Sequence, residues 1–334
     1  MILLVFSVLF LSQWIVGDPV RAFSVSLEKP IGNSWYDLEH TAPDTASDGQ
    51  VYSALIRSEL NFPIDPLRIA LAFSSFRKMD EESPIRLRTD FGIWCAVSPA
   101  FTKMRDEDWI GSNKSGTVSK SQVLLKFSDT YSSFNSFMGG SEMNKEMTKI
   151  HFLREPFLVG IGVGGSFGVY EVFGLDGKQL QGDGSSGWEH IELPNSLKVL
   201  TYFTFTLQSS LNLRAVESIL GLQWEARLHP LIYSHSRDDH ILRSKEIIMN
   251  CWGTGGALEA SLPLKYWNES SSPISRLIPY MRTELNRTWG KMTQTYYANS
   301  SDTPEDETGQ SQKGIRTSVN LWLIAIGMHI NFGL

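Results

Sequence analysis

The chain has 334 residues, of which 42% are hydrophobic and 20% charged, so it can bury a sizeable core and does not have the composition of a disordered protein. At this length we expect two or more domains. The formal net charge of -6 and the lack of any Lys/Arg-rich cluster argue against nucleic acid as a partner.

The first seventeen residues carry no charge and are almost wholly apolar. Such a stretch is typical of a signal-peptide core or of a short membrane anchor. Val20 and Ala22 supply the small or branched residues that a signal peptidase prefers, and polar sequence follows. We therefore predict a signal peptide over residues 1–22 and a secreted, extracellular protein.

Four Asn-x-Ser/Thr triplets begin at Asn113, Asn268, Asn286 and Asn299. Each can accept a glycan only in the secretory lumen, so glycosylation and export support one another. Three of the triplets fall within residues 268–301, which read as loop. We predict a glycoprotein with these four sites.

Two cysteines, Cys95 and Cys251, permit at most one intramolecular disulfide. The chain is therefore no cysteine-stapled miniature domain. Buried thiols and an intermolecular bond are both compatible with the sequence, and pairing of the two stays open.

From Val51 onward, short apolar runs rich in β-branched and aromatic residues alternate with turn residues. In residues 202–207, Tyr or Thr at even positions alternates with Phe or Leu at odd positions. This period of two is typical of a strand with one buried face. The pattern predicts a mainly β protein built of antiparallel β-sandwich repeats.

Two segments follow one plan, from an aromatic/Pro entry through a strand to a final strand with Trp: residues 58–112 and 149–227. We predict a first β-sandwich over 23–115, a second, more divergent one over 116–230, and a less regular, glycosylated region over 231–334. The last region is expected to hold a short helix around residues 274–284. Its final apolar run, residues 319–330, is too short to cross a bilayer as a helix and is expected to be a core strand.

No H-E-x-x-H, paired C-x-x-C or P-loop motif is found in the sequence. The glycines of residues 160–168 superficially suggest a phosphate cradle, but no helical pattern follows them. We predict a strand and turn with close backbone packing there.

His235, Asp238, Asp239 and His240 place two imidazoles and two carboxylates within six residues. They could coordinate a metal if they converged, although a cluster of this kind is more typical of a solvated loop. Histidines five residues apart on an unpatterned segment have no common face, so we expect neither metal nor cofactor.

Residues 50–112 resemble the H-type lectin domain. The match lies in "SELNFPIDPLRIALAFSSFRKMDEESPIRLR" followed by "DEDWIGS", and residues 149–228 look like a more divergent copy. The resemblance implies a six-stranded antiparallel β-sandwich that forms trimers. It also implies binding of galactose-type or N-acetylgalactosamine-type sugars.

The resemblance implies roles for two residues. Arg86 in "SPIRLR" matches an Arg that bonds to sugar hydroxyls, and Asp48 matches an Asp in the loop before the first long strand, with Asp44 as competitor. A guanidinium and a carboxylate suit vicinal hydroxyls because both form paired, directional hydrogen bonds. The family's stacking aromatic has no counterpart, and Phe101 is the only aromatic nearby.

The sequence thus predicts a secreted, lectin-like glycoprotein that binds carbohydrate or glycoprotein glycans and is not an enzyme. One alternative is a structural or protein-interaction module that has lost the sugar site. Another is a secreted hydrolase that uses Asp176 and Asp183 with Glu171 as general acid and base.

Overall fold

The computed structural model describes residues 20–45, 51–63, 67–78, 86–96, 100–112, 124–152, 155–180, 188–191, 197–216, 218–241, 244–262, 274–297 and 311–332. Across these ranges the secondary structure is almost entirely β-strand. No helix in this part of the chain has the length and hydropathy needed to cross a membrane.

Thirteen strands lie within the described ranges. In chain order they are β1 (Val20–Thr45), β2 (Val51–Pro63), β3 (Arg68–Lys78), β4 (Arg86–Ala96), β5 (Ala100–Ser112), β6 (Leu124–Phe152), β7 (Glu155–Leu180), β8 (Trp188–Ile191), β9 (Leu197–Ala215), β10 (Gln223–His240), β11 (Lys245–Ser261), β12 (Ile274–Tyr296) and β13 (Ser311–Phe332).

In three places, two consecutive strands pair with successive parts of the same neighbouring strand. β2 and β3 pair with successive parts of β1, β5 and β4 pair with successive parts of β6, and β9 and β8 pair with successive parts of β7. Each of these three pairs forms one long, interrupted strand of the sheet. We call such a pair, and each of the other strands, a stave. The thirteen strands therefore form ten staves, each antiparallel to the next.

The sheet closes on itself. β13 pairs with β12 along one edge and with β1 along the other, from Phe23↔Phe332 to Glu39↔Arg316. Closure satisfies the backbone N–H and C=O groups that an open sheet leaves at its edges. The described chain is a ten-stave, up-and-down antiparallel β-barrel.

The prediction of β-sandwich repeats is therefore wrong, although the prediction of a mainly β, antiparallel protein is confirmed. Strands from both sides of the predicted boundaries at 115/116 and 230/231 belong to the same sheet. The region expected to be irregular supplies most of β10 and all of β11 to β13, and residues 274–284, expected as a helix, begin β12.

The barrel has two ends, which we call the upper and lower rims. At the upper rim β1, β5, β7, β10 and β12 end, and β2, β6, β8, β11 and β13 begin. At the lower rim β3, β6, β9 and β11 end, and β4, β7, β10 and β12 begin. The start of β1 and the end of β13 also lie at the lower rim, where Phe23 pairs with Phe332.

The lower interior of the barrel is polar. Glu28 is buried and accepts a hydrogen bond from Tyr280 Oη at 2.9 Å, and its carboxylate lies 3.0 Å from Arg282 Nη2 and 3.9 Å from Arg68 Nη1. Buried charges of this kind persist only when they are paired and hydrogen-bonded. The interior wall therefore carries groups that a soluble protein would place at its surface.

The outer wall is apolar. Alternate residues of the strands point outward, and on most staves these are large, exposed hydrophobic side chains. They include Leu27, Ile31, Leu71, Ile161, Val163, Leu207, Leu211, Leu258, Met281, Leu285, Ile324 and Ile326. Exposed apolar surface of this extent marks a binding or membrane-facing surface, and an apolar-out, polar-in alternation is the pattern of a barrel that spans a bilayer.

A row of aromatic residues lies above this apolar belt on the outer wall. Tyr233 of β10 pairs with Trp252 of β11, which pairs with Trp289 of β12. The Tyr233 and Trp252 rings are 4.7 Å apart, and the Arg287 guanidinium lies 5.2 Å from the Trp289 ring. Aromatic rows of this kind mark the level of lipid headgroups in transmembrane barrels.

The glycine-rich segment is part of strand β7 and not a turn. A Cβ atom on Gly162 would lie 1.9 Å from Asn144 Oδ1 and 2.5 Å from Ser210 Oγ. Without that atom, β6 and β9 reach each other across β7, and Asn144 Oδ1 accepts a hydrogen bond from Ser210 Oγ at 3.2 Å. The close packing predicted for this segment is what the glycine provides.

Candidate functional site

A buried carboxylate, an imidazole and a phenol meet on the interior wall towards the upper rim. Asp238 has no exposed surface, and its Oδ2 accepts a hydrogen bond from Tyr36 Oη. His240 Nε2 lies 3.0 Å from the same Oδ2 and 3.3 Å from Tyr36 Oη. Asp238 Oδ1 is also buried and has no hydrogen-bond partner among the described residues.

A β-bulge in β10 turns this carboxylate and imidazole inward. The register of β10 shifts between His229 and Ile232 against both of its neighbours. Pro230 falls within the shift, and proline has no N–H to give to a ladder. His229 is buried before the bulge, and Ile232, Ser234, Ser236 and Asp238 are buried after it. The extra residue thus moves the interior face to the even-numbered positions.

The same alternation separates the four residues considered as metal ligands. His235 lies on the outer face, where its Nδ1 is 2.9 Å from Asn250 Oδ1. Asp239 also lies on the outer face and accepts a hydrogen bond from Tyr297 Oη at 2.9 Å. Only Asp238 and His240 share the interior, and no group of three or more potential metal ligands occurs in the part of the chain that the structure describes.

Two acidic residues of β5 have ladder positions that connect to β1 through β2. Asp106 is the ladder partner of Leu60, and Leu60 is the ladder partner of Tyr36. Directly paired residues share a face of a sheet, so the position of Asp106 belongs to the interior face. Two interstrand steps of about 4.8 Å place it about 10 Å from Tyr36 along the wall.

Asp108 occupies the next interior position of β5. It pairs with Ser58, which in turn pairs with Leu38 of β1. Leu38 is buried in the interior. The interior face therefore includes the positions of Asp106 and Asp108 on β5 as well as the Asp–His pair on β10, although 130 residues separate Asp108 from Asp238 in the sequence.

An apolar cluster packs around the site. Its members are buried and come from β1, β2, β9, β11, β12 and β13: Tyr36, Leu38, Leu60, Leu200, Ile247, Met249, Cys251, Met292 and Ile315. The ring of Tyr202 stacks on Tyr36 with centroids 6.5 Å apart. In such surroundings electrostatic interactions are stronger than in water, so the field of Asp238 acts on His240 with little screening.

Of the two residues predicted to bind sugar, the structure describes the position of Arg86 alone. Arg86 begins β4 at the lower rim, paired with Lys78, so it lies at the other end of the barrel. Asp48 lies outside the described residues. Their sugar-binding role stays a prediction that the structure does not test.

Of the four predicted glycosylation sites, Asn113, Asn268 and Asn299 lie outside the described residues. Asn286 lies within β12, between Gly255 and Leu321, and its Nδ2 donates a hydrogen bond to Glu284 Oε1 at 2.7 Å. The expectation of a loop is therefore wrong for this triplet, while glycosylation itself is untested.

The remaining candidates are dispersed. Cys251 is a buried free thiol on β11, and Cys95 lies on β4, which does not neighbour β11 in the sheet. Glu171 and Asp176 belong to β7, and Asp183 lies outside the described residues.

No protein-family model matches the sequence, and no curated protein matches it. Among solved structures, the barrel is similar to the outer membrane protease OmpT from Escherichia coli, with a TM-score of 0.58. The two sequences are 12% identical, and the match covers 95% of this chain and 99% of that chain. At this identity the likeness shows the fold alone.

Two other solved structures have much lower TM-scores. The outer membrane protein OmpT of Vibrio cholerae is 7% identical, covers 92% of this chain and 99% of its own, and has a TM-score of 0.16. The toluene transporter TodX of P. putida is 8% identical, covers 96% and 92%, and has a TM-score of 0.14. At these scores neither bears on the fold.

The barrel fold overturns the resemblance to the H-type lectin domain. The predicted function as a secreted lectin and the predicted glycan partners are therefore wrong. The trimeric sandwich that the resemblance implied is wrong as well. The prediction that the chain is not an enzyme is not decided by a structural likeness at 12% identity.

Sequence reasoning found half of this site and interpreted it differently. From the sequence, Asp238 and His240 are two of four potential metal ligands, and "DEDWIGS" is part of the segment that resembles a lectin domain. The shared signal is spacing, because Asp106 and Asp108, like Asp238 and His240, are two residues apart and so lie on one face of a strand.

Proposed function

We propose that this chain is a membrane-spanning β-barrel peptidase of the outer-membrane type, with its catalytic site inside the upper rim. The observation that carries the proposal is the buried Asp238, whose Oδ2 is 3.0 Å from His240 Nε2, on an interior face that also includes the positions of Asp106 and Asp108. A structural neighbour of the same fold is named an outer membrane protease.

The outer wall supports a place in a bilayer. Below the aromatic row of Tyr233, Trp252 and Trp289 the outward side chains are mainly apolar, and above it they include His235, Arg237 and Asp239. This change from apolar to polar side chains is the one expected where a barrel passes from the hydrocarbon of a bilayer into water. The localisation we infer is the cell envelope, with the upper rim projecting into the aqueous phase.

The position of the site favours a water-borne substrate. Asp238 lies five residues beyond Tyr233 on β10, which corresponds to about 16 Å along the strand. The site therefore lies above the level that the aromatic row assigns to the headgroups. A peptide segment that enters through the upper rim would reach it without crossing lipid.

The chemistry follows from which groups can accept a proton. A carboxylate only accepts hydrogen bonds, so His240 Nε2 carries the hydrogen that faces Asp238, and Nδ1 is left as the base. Asp106 and Asp108 supply acceptors that can orient a water between the two walls. Transfer of a proton from this water to Nδ1 lets its oxygen attack the peptide carbonyl carbon.

The same imidazole completes the reaction. As the tetrahedral intermediate collapses, the C–N bond breaks, and the proton held on Nδ1 passes to the leaving amine nitrogen. Asp238 stabilises the imidazolium that exists between the two steps, as a carboxylate does in other His-dependent hydrolases. No covalent bond to the protein is needed.

A passive channel has less support. β1 and β10 are separated by three staves on one side and five on the other, yet Tyr36 of β1 contacts both Asp238 and His240 of β10. In the lower half, Tyr280 of β12 reaches Glu28 of β1. The first of these contacts crosses the interior, and the second reaches past one stave, β13, along the inner wall.

The proposal is tested with the full chain folded into phospholipid vesicles and supplied with a library of internally quenched peptides. We expect cleavage by the wild type and a loss of roughly a thousandfold or more in kcat/KM for His240→Ala. Mass spectrometry of the products identifies the bond that is broken.

The matched control is His235→Ala, on the outer face of the same strand. We expect its activity to stay within about twofold of the wild type, because its removal touches only the contact with Asn250. A vesicle-inserted wild type that cleaves no peptide in the library, or equal losses in the two variants, would contradict the proposal.

A further inference from the structure

The Tyr36 hydroxyl belongs to the candidate site but takes no part in the steps described above. Tyr36 is buried, and its Oη contacts both members of the Asp–His pair. It comes from β1, on the far side of the interior from β10, so its presence there is not a consequence of strand neighbourhood. A residue held in this way is a candidate for controlling the pair.

The hydrogen-bond capacities of the three groups allow only one arrangement. Asp238 Oδ2 accepts from Tyr36 Oη, which uses the single hydroxyl hydrogen of the phenol. Any hydrogen bond between Tyr36 Oη and His240 Nε2, 3.3 Å apart, must then be donated by the imidazole. Nε2 faces two acceptor oxygens, Asp238 Oδ2 at 3.0 Å and the phenol oxygen, and therefore carries the hydrogen.

We propose that Tyr36 is a positioning residue that fixes His240 in the Nε2–H tautomer and leaves Nδ1 as the only base. The effect of Tyr36 on the reaction rate rests on the proposed function. Its effect on the tautomer of the His240 imidazole does not. Tyr36 contributes by fixing Asp238 Oδ2 and by offering Nε2–H a second acceptor. It does not touch substrate or the attacking water.

The position of Tyr36 in the wall fits this role. Tyr36 pairs with Leu60, and Leu60 pairs with Asp106. These pairings connect Tyr36, which orients the base, to Asp106, which is proposed to orient the water. The ring is supported by stacking on Tyr202 at a centroid distance of 6.5 Å and an interplanar angle of 10°. The phenol is therefore held by packing and not by its hydroxyl alone.

The test removes only the hydroxyl. In Tyr36→Phe we expect kcat to fall about tenfold while KM stays within about twofold, because the base is misoriented for part of the time and peptide binding is unchanged. Long-range proton–nitrogen spectra of the full chain, labelled on histidine and folded in detergent micelles, report the tautomer. His240 is assigned as the resonance missing in His240→Gln.

We expect a pure Nε2–H tautomer for His240 in the wild type and a mixture of the two tautomers in Tyr36→Phe. Tyr280→Phe is the matched control, since Tyr280 is also a buried phenol that donates to a buried carboxylate, Glu28, at 2.9 Å. It should lose similar stability while kcat and the His240 tautomer stay as in the wild type.

Three results would overturn the role of Tyr36: an Nδ1–H tautomer in the wild type, an unchanged tautomer in Tyr36→Phe, or an equal loss of kcat in Tyr280→Phe. The first of these needs no folded variant. If the wild type cleaves no peptide, the proposed function fails separately, and the spectra alone decide whether Tyr36 positions His240.

Discussion

Replacing Asp238 by asparagine is expected to lower kcat by about 10³- to 10⁴-fold, the loss found when a carboxylate that orients a catalytic imidazole becomes an amide. The substitution keeps size and shape, so the barrel wall around this fully buried residue need not move. Its chemistry changes in two ways. An amide cannot stabilise an imidazolium, and its N–H₂ group favours the tautomer with the hydrogen on the wrong nitrogen of His240.

The neighbouring Asp239→Asn provides the control for this prediction. Asp239 carries the same charge one position along β10 but lies on the outer face, where it accepts a hydrogen bond from Tyr297. We expect activity within about twofold of the wild type. The measurement is kcat on one cleavable peptide, with folding checked by the shift of the intact barrel on an unheated gel. Equal activities in the two variants would refute a catalytic role for Asp238.

Adding one methyl group at Gly162 is expected to destabilise the barrel by about 3 kcal/mol, through overpacking and the loss of buried hydrogen bonds. The new Cβ would lie 1.9 Å from Asn144 Oδ1, which must then move. That oxygen accepts hydrogen bonds from Ser210 and Asn212, so both bonds are affected. Denaturant-dependent folding into vesicles measures the change in the free energy of unfolding.

Gly165→Ala is the control for Gly162→Ala. Gly165 belongs to the same strand, but a Cβ there meets its nearest atom, Leu207 Cδ2, at 3.3 Å, and that atom is the end of a flexible side chain. Its effect should be within about 0.5 kcal/mol. Comparable losses of stability in the two variants would contradict this prediction. They would show that any glycine of β7 is sensitive to substitution, whether or not it lies beside the hydrogen bonds from Ser210 and Asn212 to Asn144.

The sequence was sufficient to predict antiparallel strands but not to predict which face is buried. In residues 202–207 the alternation is real, yet the even face with Tyr202 turns to the interior and the odd face with Leu207, 43% exposed, turns outward. Side chains alternate with a period of two both in a sandwich and in a membrane barrel. The apolar face contacts the protein core in a sandwich and the lipid in a membrane barrel. The pattern alone therefore does not show that the apolar face of residues 202–207 lies on the outer wall.

Residues 319–330 show a related error. Twelve residues are too few for a transmembrane helix, but they exceed the nine to eleven or so that a tilted strand needs to cross a bilayer. Ile324 and Ile326, within this run, are indeed exposed on the outer wall of β13. The length criterion was sound for helices and was applied to a segment that is a strand.

The site could be predicted only in parts, because its two halves are brought together by the closure of the barrel. The spacing of Asp238 and His240 indicated a shared face only if the segment was a strand, and the bulge at Pro230 that selects the interior face has no simple sequence signature. The sequence shows that Asp106 is acidic but not that its position belongs to the interior face, since that requires the register of β5, β2 and β1.

The most direct test of one site shared by β5 and β10 is a double-mutant cycle between Asp106 and His240. The measurement is kcat/KM on the same peptide for Asp106→Asn, His240→Ala and the double variant. If both residues act on one water, the double variant loses little more than the worse single variant. Full activity in Asp106→Asn, or losses that multiply in the double variant, would contradict a common site inside the upper rim.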